Sequence, residues 1–370
     1  MTTTEAGTTD SGAEPQAASA LDAFAEKMFV AALGAMEVTI VGMGRALGLY
    51  GALRTGPLTY GGLAAATGVD ARYAREWVEQ QAASGVLTAD GAADAAARRY
   101  TLPADHATAL LDEENPAYVG ALADVPAFIS RTLEALTGAF RTGAGVPFAD
   151  YGLHDLQAGF TRPMFANSLV AEWLPALADV HGRLVAGEAV RIADFGCGEG
   201  WACIYLAEAF PAAVVHGFDL DEASIAAARK HAADRGVGER VRFELRDVTD
   251  PAFTGRFDLV LACEVIHDLA DPVGALRAMR RLAGDTGTVL VIDENTTETF
   301  ESPADEIQRL LYAFSVLHCL PVGRVAANSA ETGTVMRPDT FRSYAAAAGF
   351  ADVEVLPVEN LFFRFYRPRG

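Results

Sequence analysis

A glycine-rich loop between an apolar strand and a helix constrains the fold of this chain more than any other feature. The run VRIADFGCGEGWACIYLAEA (190–209) predicts a strand ending at Asp194, a loop with Gly196, Gly198 and Gly200, and a helix after it. Glycines are needed where the backbone turns tightly and a ligand approaches it closely. The next predicted strand ends at Asp219, where a carboxylate can accept hydrogen bonds from both hydroxyls of a ribose. This arrangement predicts a nucleotide-like cofactor in an α/β fold.

A dinucleotide and S-adenosylmethionine are the two cofactors to weigh for such a loop. The glycines follow a GxGxG spacing instead of the GxGxxG of dinucleotide folds. Asp194 lies just before the loop, and Glu199 lies inside it. A pyrophosphate is disfavoured beside carboxylates, whereas the sulfonium and amino groups of S-adenosylmethionine are cationic. The two acids therefore favour S-adenosylmethionine.

Short apolar runs alternate with helical stretches from residue 189 onward, which is the pattern of a parallel α/β sheet. Five runs are predicted as strands: 190–194, 213–218, 241–245, 257–263 and 286–292. The terminal segment ADVEVLPVENLFFRFYRP adds two strands joined by a short turn. We therefore expect a catalytic domain at 188–370 with a Rossmann-like, mostly parallel seven-stranded sheet and an antiparallel last strand.

The N-terminal third is rich in predicted helices and contains a helix-turn-helix pattern. Gly68 closes one predicted helix, Asp70 caps the next, and two short strands follow in GVLTAD and RRYTLP. We expect a winged-helix dimerisation domain at 19–110 and a helical linker and substrate cap at 111–187. Between Gly56 and Asp105 there are four arginines, no lysine and six acidic residues, whereas a DNA-recognition surface should be basic. Dimerisation and capping are therefore favoured over DNA binding.

Net charge indicates which classes of partner the protein can bind, and cysteine usage indicates the cellular compartment. The formal net charge is -20, and a field of that sign repels nucleic acid backbones and anionic lipids. The four cysteines form no CxxC pair, which fits a reducing compartment. Residues 1–18 lack the basic start of a signal peptide and are expected to form a disordered tail. We expect a cytoplasmic protein that acts on a small molecule and binds neither nucleic acid nor membrane.

The loop region resembles the cofactor motif of class I S-adenosylmethionine-dependent methyltransferases, and the resemblance runs from about residue 189 to the C-terminus. It implies that the glycine loop wraps the methionine moiety and that Asp219 holds the ribose. It also implies that Asp247 lies beside the adenine amino group, with Val248 offering its backbone. The cofactor-binding set expected on this basis is Asp194, Gly196, Gly198, Gly200, Asp219, Leu220, Asp247, Val248 and Cys263. The winged-helix pattern makes the whole chain resemble small-molecule methyltransferases that dimerise through that domain.

Polar side chains follow the fourth and fifth predicted strands, at the edge where ligands of open α/β sheets bind. The first group comprises Glu264, His267 and Asp268, and the second comprises Asp293 and Glu294. A predicted helix then carries SVLHC, with His318, and ends at Pro321. In the predicted cap, His154 and Arg162 are candidates for the roof of the pocket, with Arg162 placed to meet a substrate carboxylate.

Two kinds of chemistry remain open for these residues. An oxygen or nitrogen acceptor needs a general base, for which His267 or His318 is suited. A carbon acceptor beside a carbonyl needs a stabilised enolate, which a metal ion can provide. His267, Asp268 and His318 form a two-histidine, one-carboxylate set that leaves positions open for a chelating substrate.

The IHD and SVLHC segments are similar to those of a group of winged-helix methyltransferases that includes metal-dependent 2-oxo acid C-methyltransferases. This resemblance implies that His267, Asp268 and His318 hold a non-haem iron or another divalent metal, with Glu264 as an alternative carboxylate. It also implies that a 2-oxo acid chelates the metal and that its enolate carbon attacks the methyl group. A metal-free O- or N-methyltransferase with a histidine base remains an alternative, as does a winged-helix regulator that senses the cofactor.

Overall fold

The computed structural model describes residues 19–152 and 154–370. The tail predicted at 1–18 lies outside the described residues. The described chain comprises an N-terminal helical region with a small sheet, a middle group of helices and a C-terminal α/β region. Within these residues, no helix is both long and apolar enough to cross a membrane.

The N-terminal region is a winged helix preceded by a long helix. Its elements are α1 Ala20–Ala46, α2 Leu49–Leu53, β1 Leu58–Thr59, α3 Tyr60–Thr67, α4 Ala71–Ala83, β2 Thr88–Ala89, β3 Arg99–Thr101 and α5 Ala104–Leu111. The three strands form an antiparallel sheet in the order β1-β3-β2. Gly68 ends α3 with a φ of 76°, and the Asp70 carboxylate accepts the backbone N–H groups of Arg72 and Tyr73. The predicted helix-turn-helix and its two flanking strands are therefore confirmed.

The middle helices cover one edge of the α/β region. They are α6 Val125–Thr142, α7 His154–Met164 and α8 Ala178–Val185, with 3-10 turns at Gly120–Asp124, Phe148–Asp150 and Leu174–Ala176 and a π-helical stretch at Phe165–Trp173. The ring of Trp173 is fully buried and packs edge-on against Phe363 and Phe365 of the last strand. This contact anchors the helices to the sheet.

The large sheet has seven strands. They are β4 Arg191–Phe195, β5 Val214–Asp219, β6 Val241–Leu245, β7 Leu259–Cys263, β8 Thr288–Glu294, β9 Asp352–Val355 and β10 Phe363–Arg369. Their spatial order is β6-β5-β4-β7-β8-β10-β9. The first five strands are mutually parallel, and β10 runs antiparallel to both β8 and β9. The predicted mostly parallel sheet with an antiparallel last strand is confirmed.

Helices pack on both faces of this sheet, which explains why the central strands β7 and β8 are buried along nearly their whole length. They include α9 Trp201–Ala209, α10 Glu222–Asp234, α11 Pro272–Ala283 and α14 Pro338–Ala347. One core contains Ile192, Ile204 and Val215, and the other contains Val260 and Leu276. The strand order reverses between β4 and β7, so a crevice opens at the carboxyl ends of these strands.

The segment after β8 is continuously helical through His318. It consists of α12 Glu306–Phe314, a π-helical turn at Ser315–Cys319 and α13 Leu320–Gly323. The predicted end of this helix at Pro321 is wrong, since Pro321 lies in the first turn of α13. Pro321 removes one backbone N–H donor where the π-helical turn passes into α13, and the helix nevertheless continues to Gly323.

Candidate active site

The glycine loop lines a cavity of about 410 Å³ at the carboxyl ends of β4, β5 and β7. We call this space the loop cavity. Seven of the residues expected to bind the cofactor lie in its wall: Asp194, Gly196, Gly198, Asp219, Leu220, Val248 and Cys263. Gly200, the last glycine of the motif, forms the N-cap of α9 with a φ of 81°. The wall thus contains most of the set that the sequence predicts.

The loop is held in place by the carboxylate of Asp219. The backbone N–H of Gly198 donates to Asp219 Oδ2 at 2.8 Å, and the N–H of Asp221 donates to Asp219 Oδ1 at 2.9 Å. Gly196 and Gly198 have φ values of 67° and 50°, which favour glycine. A Cβ atom on Gly196 would lie 2.5 Å from the side chain of Val265. The loop therefore needs glycine both for its backbone angles and for its close packing.

Asp194 lies beneath the loop with only 2% of its surface exposed. Its Oδ2 accepts the S–H of Cys203 at 3.3 Å. Burial, opposed by this hydrogen bond, raises the pKa of Asp194 to about 7. A cationic ligand in the loop cavity would favour the ionised form and offset part of the cost of burying it.

The cap closes the loop cavity through a contact between α7 and the end of β5. His154 Nε2 lies 2.9 Å from Asp221 Oδ2, and its ring packs edge-on against Phe148. Both aromatic residues line the loop cavity. The expectation that His154 enters the roof of the pocket is therefore confirmed.

Two other predicted residues lie away from this wall. Arg162 contacts Glu113 and Glu114 at 2.5 and 2.8 Å, and its guanidinium lies 3.8 Å from the ring centre of Trp201. Two glutamates already neutralise Arg162, so the structure does not support its expected contact with a substrate, which stays a prediction. Asp247 is exposed, and its carboxylate accepts the N–H and Oγ1–H of Thr249 at 2.8 and 2.6 Å, so its adenine contact stays a prediction.

A second, smaller cavity of about 100 Å³ adjoins the first, and we call it the histidine cavity. Its wall is mainly apolar and aromatic, and includes Leu156, Phe160, Leu310, Leu311, Phe314 and Phe362. Polar residues gather at one end of it, among them Glu264, His267, Asp268, Glu294 and His318. The two cavities share Gln157, Glu264 and Asp268 in their walls. A group bound in one cavity can therefore reach a group bound in the other.

His267 is the centre of the polar end. Its Nδ1 lies 2.8 Å from both Asp293 Oδ1 and Glu294 Oε2, and its Nε2 lies 3.3 Å from Asp268 Oδ1. Burial lowers the pKa of His267, but the three carboxylates outweigh it and hold the pKa well above its usual value. The backbone N–H of Glu294 also donates to Asp293 Oδ1 at 3.0 Å. The ring orientation is therefore fixed by acidic groups at the end of β8.

His318 reaches the same cavity from the π-helical turn. Its ring packs edge-on against Tyr151, with 4.7 Å between ring centres, and its Nδ1 lies 3.4 Å from Cys319 Sγ. Its Nε2 is buried without a hydrogen-bond partner among the described residues. Burial lowers the pKa of His318, against the opposing effect of Asp268. A neutral imidazole with a free Nε2 is suited to bind a metal ion or a proton.

The donor atoms at this end fit a metal ion. In the described residues, two clusters bring three possible ligand atoms within 4.8 Å of one another: His267, Asp268 and Cys319, and His267, Asp293 and Glu294. His318 belongs to neither cluster, although it lies in the same wall. Asp268 Oδ1 is buried and, like His318 Nε2, has no hydrogen-bond partner in the described part of the chain.

The charges here are also unbalanced. Glu264, Asp268, Asp293 and Glu294 act on one another, and the main opposing charge is that of His267. Burial, with the neighbouring acids Asp293 and Asp268, raises the pKa of Glu264 to about 7. Among the described residues, no lysine or arginine contributes to these pKa shifts, so His267 is the main positive charge beside the four carboxyl groups.

The structure thus brings His267 and Asp268 together and places His318 across the same cavity. The sequence interpretation did not identify Gln157 or the aromatic wall residues, which come from distant elements. Cys319 was not among the predicted ligands, yet its Sγ atom lies among the possible ligand atoms. The one signal in the sequence for a ligand role of Cys319 is its position next to His318.

Comparison with known families matches two parts of the chain. Residues 186–322 match a family described as a methyltransferase domain, and residues 34–111 match an Rv2258c-like winged HTH domain. A curated relative, the ubiquinone biosynthesis O-methyltransferase of Pseudomonas aeruginosa (strain LESB58), is 26% identical over 202 residues, which are 55% of this chain and 76% of that protein.

Solved structures share the fold over nearly the whole chain. Mitomycin 7-O-methyltransferase MmcR superposes with a TM-score of 0.67 at 22% identity, covering 95% of this chain and 99% of that one. PigF, solved with SAH, superposes with a TM-score of 0.70 at 20% identity, covering 95% and 100%. At this identity the likeness concerns the fold. Together with the matched domains, it identifies the chain as an S-adenosylmethionine-dependent methyltransferase with a winged-helix region.

Proposed function

We propose that this methyltransferase transfers the methyl group to carbon 3 of a small 2-oxo acid, with a divalent metal or iron held by His267, Asp268 and His318. One observation carries the proposal. His318 Nε2 is buried without a hydrogen-bond partner in the described residues, Asp268 Oδ1 is buried with only the 3.3 Å contact to His267 Nε2, and both residues share a cavity wall with His267. Unpaired buried polar atoms cost free energy, and a metal ion would satisfy both.

The charge at this end supports the same assignment. Bound metal supplies positive charge to a group of buried carboxyls and, when bound, stabilises an enolate oxygen of the acceptor. Asp293 accepts a hydrogen bond from His267 Nδ1 in this scheme. That contact leaves Nε2, which faces Asp268 Oδ1 at 3.3 Å, as the ligand atom, and a carboxylate on the other ring nitrogen is the common arrangement for metal-bound histidine.

The apolar wall accounts for the rest of the acceptor. Phe160, Phe314 and Phe362 pack against one another beside the cavity, so they favour an alkyl or aryl side chain over a charged one. The carboxylate and keto oxygens of a 2-oxo acid would then point to the metal ligands. In the loop cavity, Asp194 and Asp219 favour the cationic methionine end and the ribose of S-adenosylmethionine.

Metal analysis of the purified, untagged protein tests this function. We expect about one divalent or ferric ion per chain in the wild type and its loss in His318→Ala, because that variant removes one of three ligands. His106→Ala is the matched control, since His106 lies in the winged helix and contacts only the Val86 carbonyl among the described residues. A wild-type protein that stays metal-free after incubation with ferrous, manganous or zinc ions would refute metal-assisted transfer.

A second candidate function is metal-free O- or N-methylation with His267 as the general base. The 2.8 Å contact between His267 Nδ1 and Asp293 Oδ1 favours it, because a carboxylate at one imidazole nitrogen strengthens the other as a base. The names of MmcR and of the Pseudomonas relative also describe O-methyltransferases. Methylation of a phenol by chelator-treated protein, lost in His267→Ala but retained in His318→Ala, would favour this candidate.

We further propose that two copies associate through α1. Large apolar side chains of this helix are exposed, among them Phe24, Met28, Phe29, Leu33 and Met36. A row of this kind on one long helix marks an interaction surface. Light scattering should give twice the chain mass for the wild type and the chain mass for a Met28→Asp, Leu33→Asp variant. A wild type that is monomeric at micromolar concentration would refute the dimer.

A further inference from the structure

We propose that Glu264 is a catalytic residue, the carboxylate that accepts the proton which carbon 3 of the acceptor loses before the methyl group is transferred. This inference rests on the proposed C-methylation, since an oxygen or nitrogen acceptor would have no such proton. In this scheme the metal ligands stabilise the enolate, and Glu264 removes the proton.

The first argument is position. Among the described residues, only Gln157, Glu264 and Asp268 belong to the walls of both cavities. Methyl transfer is an in-line displacement, so the attacking carbon and the methyl group must meet at this junction. The proton leaves the same carbon and therefore leaves at the same place. Asp268 is committed to the metal in the proposed function, and an amide such as Gln157 is no base, so Glu264 is the available base.

The second argument is the backbone. Glu264 has a φ of 55°, an angle that is uncommon for residues other than glycine and asparagine. Its N–H donates to the Ile292 carbonyl at 2.8 Å, which ties the strained residue to the neighbouring strand. Strained residues of this kind persist where the surrounding structure imposes them, and they cluster at functional sites. Here the angle places a glutamate at the end of β7 where glycine would be the unstrained choice.

The third argument is the lack of a competing role. Asp268, Asp293 and Glu294 all lie within 3.3 Å of a His267 ring nitrogen. In the part of the chain that the structure describes, the Glu264 side chain has neither a hydrogen bond nor an ion pair, and it belongs to neither candidate metal cluster. Glu264 is only half-buried and lies in the walls of both cavities, so its carboxylate is open to a bound acceptor.

The step balances in atoms and charge. The C3–H bond breaks, the proton moves to a Glu264 carboxylate oxygen, and the electron pair forms the C2–C3 double bond. The π pair of the C2=O bond moves to the oxygen at the same time, which gives an enolate, and it forms the C2=O bond again when the enolate carbon attacks. The enolate carbon then forms a bond to the methyl carbon while the sulfur–methyl bond breaks, with the electron pair returning to sulfur. A carboxylate and a sulfonium become a carboxylic acid and a thioether. Solvent takes the proton from Glu264 when the product leaves.

Deuterium exchange at carbon 3 isolates this step from methyl transfer. The metal-loaded protein is mixed in D₂O with S-adenosylhomocysteine and 2-oxo-4-methylpentanoate, and loss of the C3 proton signal is followed by NMR. We expect exchange well above the protein-free rate in the wild type. Glu264→Gln should lower exchange and methylation at least about 100-fold, while metal content and S-adenosylhomocysteine affinity stay within about threefold.

The matched control is Glu331→Gln. Glu331 has a similar φ of 52°, but it is exposed and pairs with Arg324, so its variant should exchange like the wild type. Wild-type protein that neither exchanges nor methylates any 2-oxo acid would overturn the proposed function. Wild-type exchange that survives in Glu264→Gln would overturn the role of Glu264 alone.

Glu264→Gly separates catalysis from folding. Glycine relieves the positive φ, so we expect the melting temperature of this variant to rise by about 2 °C, while exchange stays as low as in Glu264→Gln. A purely structural glutamate would give the opposite result, a lower melting temperature with exchange retained.

Discussion

The loop cavity and the histidine cavity are built in opposite ways. In the loop cavity the acid Asp219 already accepts two backbone N–H groups, so its charge is satisfied before any ligand binds. In the histidine cavity His267 is surrounded by acids, and Asp268 Oδ1 and His318 Nε2 lack hydrogen-bond partners in the described residues. The shape of the loop cavity is therefore fixed before a ligand binds. In the histidine cavity, the charges and the hydrogen bonds would be satisfied only by a bound ligand.

This difference separates binding from chemistry. A preformed site loses little free energy in ordering itself around a ligand, so it favours affinity. A site with concentrated charge instead stabilises the transition state, because charge that develops there interacts with the charged side chains. The two cavities should therefore respond to substitution in different assays, and each prediction below tests whether they do.

The largest effect is expected from His267→Ala. The substitution removes the residue that both candidate mechanisms use, so turnover should fall at least about 1000-fold. Cofactor affinity, measured by calorimetry, should change less than about threefold because His267 lies outside the wall of the loop cavity. His181→Ala, on α8, is the control. An equal loss of cofactor affinity in His267→Ala would show that the two cavities act as one.

The next effect concerns stability and pH. The pKa of Asp194 is raised to about 7 in the folded chain, above its value in the unfolded chain. The folded state therefore prefers the protonated acid, so this contribution to stability is present below pH 4 and is lost as the pH rises to about 7. It amounts to about 4 kcal/mol, on the order of 1.4 kcal/mol for each pKa unit of the shift.

Urea unfolding of the cofactor-free protein at several pH values measures this contribution. The Asp194→Asn variant should gain stability relative to the wild type between pH 4 and pH 8, and the gap should narrow when S-adenosylmethionine is added. A gap that does not depend on pH would mean that Asp194 keeps an ordinary pKa.

A third prediction tests the loop cavity by a substitution at Asp219. Asp219→Asn weakens the acceptor of the Gly198 N–H and removes the charge facing the ribose, so cofactor affinity should fall about 50-fold. Metal content should not change, since Asp219 belongs to neither candidate metal cluster. Asp234→Asn, an exposed acid on α10, is the matched control. Metal loss in Asp219→Asn would contradict the separation of the cavities.

The smallest effect is expected at the cap. His154→Ala removes the 2.9 Å contact with Asp221, which is partly exposed and therefore contributes modestly. Cofactor affinity should fall about threefold, mainly through faster dissociation, which stopped-flow fluorescence can measure. An unchanged dissociation rate would mean that the cap closes without this contact.

The sequence predicted one of these cavities far better than the other. Glycine spacing and Asp219 are signals along a single stretch of chain, and the loop that they describe depends on local backbone angles. The histidine cavity depends on tertiary packing, since Gln157 and Phe160 come from α7, and His267, Asp293 and His318 come from three separate segments. The ion pairs of Arg162 were not predicted for the same reason, because Glu113 and Glu114 lie 49 and 48 residues earlier.

The π-helical turn at Ser315–Cys319 bears on how such a chain could have diversified. A π-helical turn holds one more residue than the α-helical turn that it replaces. Deleting one residue within it would return the segment to a regular α-helix, with α12 and α13 keeping their orientation, and only the residues inside the turn, including His318, would change direction by about 100° per residue. A single-codon insertion or deletion could therefore have added or removed this histidine within a lineage, without any change in the glycine loop.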